Sequence, residues 1–189
     1  LQGDVGSGKT IVSLIAASNV IRSNYQVALM APTEILAKQH YELALRVFKS
    51  TDININLLTG KTDTKVKKLV HQNLMNGRIN FLIGTHALFQ KNISFNNLGL
   101  IIIDEQQRFG VKQRIELSKK GGKDCDILLM SATPIPRTLI LAIYGDMDVS
   151  RLVEKPISRK DIITLSKPKE KINEIIFFIE KQIKNKHQI

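Results

Sequence analysis

Eight consecutive residues near the start of the chain have the types and spacing to bind phosphate. They fit the pattern G-x-x-x-x-G-K-[ST] and are Gly3, Asp4, Val5, Gly6, Ser7, Gly8, Lys9 and Thr10. Glycines let the backbone curl until successive N–H groups converge on an anion, and a helix that begins near Lys9 adds its positive N-terminal end. Lys9 can then bridge the β- and γ-phosphates, and the Thr10 hydroxyl is the expected Mg²⁺ ligand. The pattern predicts a nucleotide site rather than a glycine-rich turn that only precedes a helix.

A carboxylate that could hold the metal through water follows a later apolar run. Ile101, Ile102 and Ile103 predict a buried strand, and Asp104 stands at its carboxyl end, where α/β sheets place their ligands. Glu105 is the natural general base for a water molecule that attacks the γ-phosphate. The alternative is an acidic strand end that is only solvated, and the phosphate pattern upstream disfavours it.

A parallel sheet is the element that would position these groups. Apolar, β-rich runs alternate with amphipathic stretches, which is typical of an α/β fold with helices covering a mostly parallel sheet. We predict strands at 26–31, 55–58, 80–84, 98–104 and 126–130. We predict helices at 9–22, 34–48, 62–76 and 112–119, with a short one near 137–143. Gly77 is expected to end the helix over 62–76 as a C′ glycine.

The composition is that of a globular protein with a polyanionic partner. The 189 residues include 28 Lys and Arg against 17 Asp and Glu, a net charge of +11. This charge favours nucleic acid first and an anionic membrane surface second. No apolar run reaches 18 residues, so no membrane-spanning segment is predicted. The single cysteine, Cys125, is expected in the core rather than as a nucleophile, and it fits a reducing cytosol.

Several segments together resemble a known family. Asp104-Glu105-Gln106-Gln107 resembles the DExx box of superfamily 2 helicases, and Ser131-Ala132-Thr133 resembles their S-A-T motif. The segments GDVGSGKT, APTEILAKQH, IGTHALFQ, RFGVKQR, SATPIPRTL and YGDMDVS are similar, in this order, to RecG-type ATP-dependent DNA helicases. Transcription-repair coupling translocases share several of these motifs, but the YGDMDVS segment looks closer to the RecG type.

This resemblance implies a P-loop NTPase fold, the first RecA-like motor lobe of a bacterial, cytoplasmic helicase that remodels stalled forks and Holliday junctions. ATP and Mg²⁺ would bind between this lobe and a second one. By the resemblance, Lys9 and Thr10 hold phosphate and metal, Asp104 holds Mg²⁺ through water, and Glu105 activates water.

The resemblance also assigns coupling and DNA-binding residues. Coupling of hydrolysis to motion would fall to Ser131, Ala132 and Thr133. The loops expected to touch the DNA backbone contain Pro32, Thr33, Thr59, Gly60, Gly84, Thr85 and His86. Short hydroxyl side chains and backbone N–H groups at strand ends suit phosphate binding without base readout.

Gln107 departs from the histidine that is usual at the fourth position of the RecG-type box. A glutamine can bridge by hydrogen bonds, but it cannot become a cation. We therefore expect ATP binding to be retained, and the position leaves open how hydrolysis is coupled to DNA movement.

The same resemblance divides the chain into three parts. Residues 1–154 match the motor lobe, 155–169 a linker, and 170–189 the first helix of the second lobe. Both ends look cut, and the strand before the phosphate loop is expected to be missing. The rest of the second lobe, with its arginine finger, and the wedge domain that grips DNA are expected outside this chain. The alternative is a truncated remnant that binds nucleotide or DNA without unwinding.

Three further sets of residues can be interpreted either as structural or as functional. Isoleucines at helical spacing from Ile172 to Ile183 read as a core-facing stripe, or as a partly exposed one if the core partners are missing. Lys65, Lys67 and Lys68 are expected to form a solvated helix face, or else a phosphate-tracking patch beside Thr59 and Gly60. The histidines lack zinc-ligand spacing, and only His86 has a functional interpretation.

Overall fold

The computed structural model describes residues 1–89, 93–105, 125–133, 148–154 and 164–187. Gln107 and the helices predicted at 112–119 and 137–143 lie outside these ranges. The chain divides into two compact units, Leu1–Pro156 and Ile157–Ile189.

The first unit alternates strands and helices. Its described strands are β1 (Gln2–Gly3), β2 (Gln26–Met30), β3 (Ile55–Leu58), β4 (Phe81–Gly84), β5 (Leu98–Ile103), β6 (Asp126–Leu129) and β7 (Arg151–Leu152). Its described helices are α1 (Lys9–Arg22), α2 (Glu34–Val47) and α3 (Thr64–Met75), and a 3₁₀ turn covers His86–Phe89. The five predicted strands and the predicted helices over 9–22, 34–48 and 62–76 are confirmed, with ends that shift by no more than two residues.

The strands form a parallel arrangement, which confirms the α/β fold. Five of them pair in the order β3-β4-β2-β5-β6, and β1 pairs with β7. A bridge between Gln2 and Ser131 connects the β1-β7 pair to the end of β6. Because these pairings are parallel, the carboxyl ends of the strands share one edge of the sheet.

A short strand precedes the phosphate loop, where the sequence led us to expect none. The Gln2 N–H donates to the Ser150 carbonyl oxygen at 2.8 Å, and the Gly3 N–H donates to that of Ser131 at 3.3 Å. Two residues are too few to show a period-two pattern, so hydrogen bonds on both sides define this strand.

Alternate residues of each central strand enter two different cores. Val27 and Leu29 of β2 pack in the core that includes residues of α1 and α2, whereas Ala28 and Met30 pack in the core that includes residues of α3. A strand buried on both faces appears in the sequence as a continuous apolar run, as residues 27–31 and 100–103 do.

Gly77 ends α3 as predicted. Its φ is +68°, a left-handed conformation that residues with a Cβ rarely adopt. The Gly77 N–H donates to the Leu74 carbonyl at 3.1 Å, and the Arg78 N–H donates to the Asn73 carbonyl at 2.8 Å. These two bonds are the Schellman pattern, which satisfies carbonyl groups at the helix end.

The second unit contributes helix α4 (Ile172–Lys184), preceded by a 3₁₀ turn at Lys169–Lys171. Within the described part of this unit, no residue of α4 is buried, and Ile172, Ile175, Ile176 and Ile183 are exposed. Among the described residues of this unit, no second layer packs against α4, so the isoleucines have no core within that part of the unit. Across the described ranges, no helix combines enough length with enough apolar surface to cross a bilayer.

Candidate nucleotide and nucleic-acid site

The predicted site residues in the described ranges all lie at the carboxyl edge of the parallel strands. In the order of the strands, the segments are 59–60, 84–86, 32–33, 104–105, 131–133 and 3–10. Backbone hydrogen bonds continue past the strand ends: Ala31 N–H to Gly84 O at 2.9 Å, and Asp104 N–H to Met30 O at 2.9 Å. The segments predicted to bind DNA therefore occupy one half of the edge and those predicted to bind nucleotide the other. The two halves meet between β2 and β5.

The phosphate loop has the backbone that its sequence predicts. Gly6 and Gly8 have φ of +80° and +94°, and beyond their chain neighbours no described atom lies within 4 Å of where a Cβ would stand. Lys9 Nζ donates to the carbonyl oxygens of Gly3 at 2.7 Å and Asp4 at 2.9 Å. The loop thus wraps around its own ammonium group.

This loop fits a polyphosphate. In the described structure, no side chain caps the start of α1 at Gly8, and the first turn of α1 contains no acidic residue. Helix N-terminal N–H groups that lack a side-chain acceptor, together with the positive end of the helix dipole, form an anion site. Lys9 and Thr10 occupy the first two positions of the helix, beside that anion site.

Asp104 presents a buried carboxylate with ordered hydrogen bonds. Its residue exposure is 8%, and its Oδ1 accepts the Glu105 N–H at 3.0 Å. Its Oδ2 lies 2.8 Å from Nε2 of His40. Each carboxylate oxygen offers two lone pairs, so both retain one acceptor position. Oxygen ligands of this kind, with the Thr10 hydroxyl, suit Mg²⁺.

Glu105 has an unusual backbone for a residue with a side chain. Its φ is +49°, in the left-handed region. Such a conformation costs about 1–3 kcal/mol and persists where surrounding structure imposes it, most often at functional sites. This conformation makes the turn directly after β5 a candidate functional position.

The Ser131-Ala132-Thr133 segment is bonded to the entrance of the phosphate loop. Ser131 is buried, and its Oγ lies 3.1 Å from Thr133 Oγ1 and accepts the Thr133 N–H at 3.2 Å. The Ser131 carbonyl accepts the Gly3 N–H. Ala132 lines an open cleft of about 370 Å³ with residues of β1, β7 and the phosphate loop. The Ser131 carbonyl thus connects this segment directly to the start of the phosphate loop.

The residues predicted to touch DNA differ in exposure. Thr33, Gly60 and His86 are exposed. The hydroxyl of Thr33 accepts the Leu36 N–H at 3.2 Å and so caps α2. Thr85 is buried, and its Oγ1 has no hydrogen-bond partner among the described residues.

Gly84 and Glu34 hold the DNA-predicted loops together. A Cβ at Gly84 would collide with the Leu58 carbonyl oxygen, so only glycine permits this approach of β4 to β3. The Glu34 carboxylate accepts the Lys61 N–H at 3.3 Å and lies 3.2 Å from Lys61 Nζ. Hydrogen bonding to Lys61 lowers the pKa of Glu34. This pair connects the segment after β2 to the segment after β3.

His40 is the site residue that the sequence interpretation missed. The spacing of the histidines indicates only that they lack a zinc-ligand pattern, and it gives no sign of Asp104, which is 64 residues away in sequence. The spacing of residues along α2 could have indicated that His40 is buried, because it lies on the same helix face as Ala37 and Ala44. A histidine in the apolar stripe of a helix requires a buried polar partner.

The chain matches known helicases. A family model described as DEAD/DEAH box helicase matches residues 1–141. The chain is 48% identical to the ATP-dependent DNA helicase RecG of Thermotoga maritima over 97% of its length, and 48% identical to that of Bacillus subtilis over its full length. It covers 23% and 27% of those proteins, so it spans about a quarter of the length of these relatives.

A solved structure supports the same resemblance. The chain superposes on RecG bound to a three-way DNA junction with a TM-score of 0.81 and 44% sequence identity. The alignment covers 98% of this chain and 25% of that one. These similarities confirm the resemblance drawn from the motifs.

Proposed function

Because the chain belongs to the DEAD/DEAH box helicase family, we propose that it is the ATP-binding motor lobe of a helicase that remodels branched DNA. Stalled forks and Holliday junctions are the proposed substrates, and recombination and repair the proposed processes. Similarity to bacterial RecG proteins over nearly the whole chain supports this assignment, and with it a place in the bacterial cytoplasm. By the same similarity, its partners would be a second RecA-like lobe and a wedge domain.

One observation carries the proposal: the phosphate loop, the Asp104-Glu105 turn and the Ser131-Thr133 segment follow neighbouring strands at one edge of the sheet. ATP with Mg²⁺ would supply the phosphoryl group whose transfer to water drives the motor. Lys9 would exchange its carbonyl partners in the loop for phosphate oxygens.

The remaining roles follow from the chemistry of each side chain. Thr10 and Asp104 would hold Mg²⁺ by oxygen atoms, Asp104 through water. Glu105 would accept the proton of the attacking water. Ser131 and Thr133, joined to the loop by the Gly3 N–H, would convert changes at the phosphates into movement of the lobe.

DNA would lie along the other half of the same edge. Thr33, Gly60 and His86 offer exposed groups there, and Lys67 Nζ is held beside them by the Gly60 carbonyl at 3.0 Å. The Thr85 hydroxyl is buried and the Thr85 N–H donates to the Leu58 carbonyl at 3.3 Å, so we assign the contact of this loop to the exposed His86. Contacts of this kind bind phosphates without reading sequence.

Calorimetry with ATP and Mg²⁺ tests the nucleotide site. Lys9→Ala should weaken ATP binding by about 100-fold, or about 2.7 kcal/mol, because a charge-assisted contact to phosphate is lost. Lys49→Ala, which removes an exposed lysine of the same type, is the matched control and should bind like the wild type. A folded wild-type chain that binds no nucleotide at millimolar ATP would refute the proposal.

An ATPase assay with three-way junction DNA then distinguishes an active motor lobe from a truncated remnant. DNA-stimulated turnover that Glu105→Gln abolishes supports a working lobe. Nucleotide binding without stimulated turnover supports the alternative, a remnant that binds without unwinding.

A further inference from the structure

His40 lies where the two halves of the candidate site meet. It belongs to α2, the helix that begins directly after Thr33, one of the residues predicted to touch DNA. Its Nε2 approaches Oδ2 of Asp104, the carboxylate assigned to the metal, at 2.8 Å. Both residues are buried, with 8% exposure each.

The direction of this hydrogen bond is fixed by chemistry. An ionised carboxylate only accepts hydrogen bonds, so Nε2 of His40 carries the hydrogen and donates it. The second donor to Asp104 is the Glu105 N–H, which is local to the same turn. His40 is thus the donor to Asp104 that comes from another element of the fold.

We infer that His40 is a positioning residue for the metal-holding carboxylate of Asp104, an inference that rests on the proposed nucleotide function. Two donors, one on each oxygen, hold the plane of the carboxylate in one orientation. One lone pair of each oxygen stays available for the water shell of Mg²⁺. With His40 removed, the Glu105 N–H is the one donor to Asp104 left among the described residues, and the carboxylate can turn away from the phosphate loop.

A residue that does not bind the metal itself but hydrogen-bonds to a metal ligand acts mainly on the affinity for the metal. Loss of such a partner typically weakens metal affinity by about 10- to 100-fold. The inference therefore predicts a defect in the metal-dependent part of nucleotide binding, while binding of nucleotide without metal is preserved.

Two amide substitutions at His40 distinguish the length of the side chain from its ability to form hydrogen bonds. The side-chain nitrogen of His40→Gln is as many bonds from Cα as imidazole Nε2, so it can reach Asp104. The nitrogen of His40→Asn is one bond shorter and cannot reach it without a shift of α2. His71→Asn, on α3, is the matched control, because His71 also has a buried Nε2 but belongs to a different helix.

The experiment titrates Mg²⁺ against each variant with a fluorescent, non-hydrolysable ATP analogue, and repeats the nucleotide titration in EDTA. His40→Asn should raise the half-saturating Mg²⁺ concentration by about tenfold or more. Its affinity for the analogue in EDTA should change little, whereas the lost buried hydrogen bond should lower its thermal unfolding temperature by a few degrees. His40→Gln should restore the wild-type Mg²⁺ response, and His71→Asn should not alter it.

The outcomes distinguish this inference from the proposed function. If His40→Asn responds to Mg²⁺ like the wild type, or loses affinity equally with and without metal, His40 does not position Asp104 and only the inference fails. If the wild type binds no analogue under either condition, the proposed function fails and the inference fails with it.

Discussion

Replacing Gln26 with methionine would keep the length of the side chain and remove four hydrogen bonds. Gln26 Nε2 donates to the carbonyl oxygens of Leu74 at 3.0 Å and Ile79 at 2.7 Å. Its Oε1 accepts the N–H groups of Asn96 at 2.8 Å and Asn97 at 3.0 Å. The amide therefore connects β2 to the end of α3 and to the segment before β5.

The expected cost follows from which partners stay buried. The buried carbonyl of Ile79 loses the donor Gln26 at a cost of about 1–3 kcal/mol, whereas that of Leu74 keeps the Gly77 N–H and loses one hydrogen bond worth about 1 kcal/mol. The N–H groups of Asn96 and Asn97 belong to exposed residues and can bond to water instead. Together with the gain from burying an apolar side chain, these changes predict a loss of about 3 kcal/mol in the free energy of unfolding.

Urea denaturation followed by circular dichroism measures this loss. Gln39→Met, at an exposed position of α2, is the matched control and should change the free energy of unfolding by less than about 0.5 kcal/mol. ATP affinity of the folded Gln26→Met chain should be unchanged, because Gln26 starts β2 and the site lies beyond the other end. A loss below about 1 kcal/mol would refute the hydrogen-bond reasoning.

Two further predictions concern ionisable groups. Burial, with a smaller contribution from the charge of Asp126, raises the pKa of Cys125 to about 11. At pH 8, iodoacetamide should therefore react with the folded protein about 100-fold more slowly than with the urea-unfolded chain, and equal rates would contradict a protected thiol. The pKa of Glu34 is lowered in the folded protein, so its link to Lys61 is fully present above about pH 4.5 and is lost as the pH falls through the lowered value. The protection factor of the Lys61 amide, which compares its exchange rate with that of the unfolded chain at the same pH, should fall over that acidic range. Glu34→Ala, which removes the acceptor, should show the low protection factor already at pH 7, and full protection in that variant would contradict the link.

The fold could be predicted well because its signals are local. The apolar runs of β2 and β5 are buried on both faces, and the left-handed Gly77 is encoded by residue type. The phosphate loop could be predicted equally well, because its left-handed backbone at positions 6 and 8 requires glycine. The pairing of β1 with β7 was not predictable, since two-residue strands depend on neighbours distant in sequence.

The buried polar contacts of Gln26, and of His40 in the site, could not be predicted from the sequence pattern. Gln26 begins a strand, where a polar residue usually meets solvent, and only the tertiary structure supplies its four partners. His40 and Asp104 likewise meet through the packing of α2 on the sheet. The predicted roles of the individual site residues stay predictions until variants are measured.

Helix α2 begins directly after Thr33, which is predicted to touch DNA, and its second turn carries His40 to Asp104, the carboxylate proposed to hold metal. About seven residues separate Thr33 from His40, a rise of about 10 Å along a rigid rod. A hydrogen bond of 2.8 Å passes the usual limit of about 3.5 Å after a displacement of only about 0.7 Å. A displacement of α2 by less than one bond length would therefore break the bond between His40 and Asp104, so the position of Thr33 and the orientation of the Asp104 carboxylate would be linked through this helix.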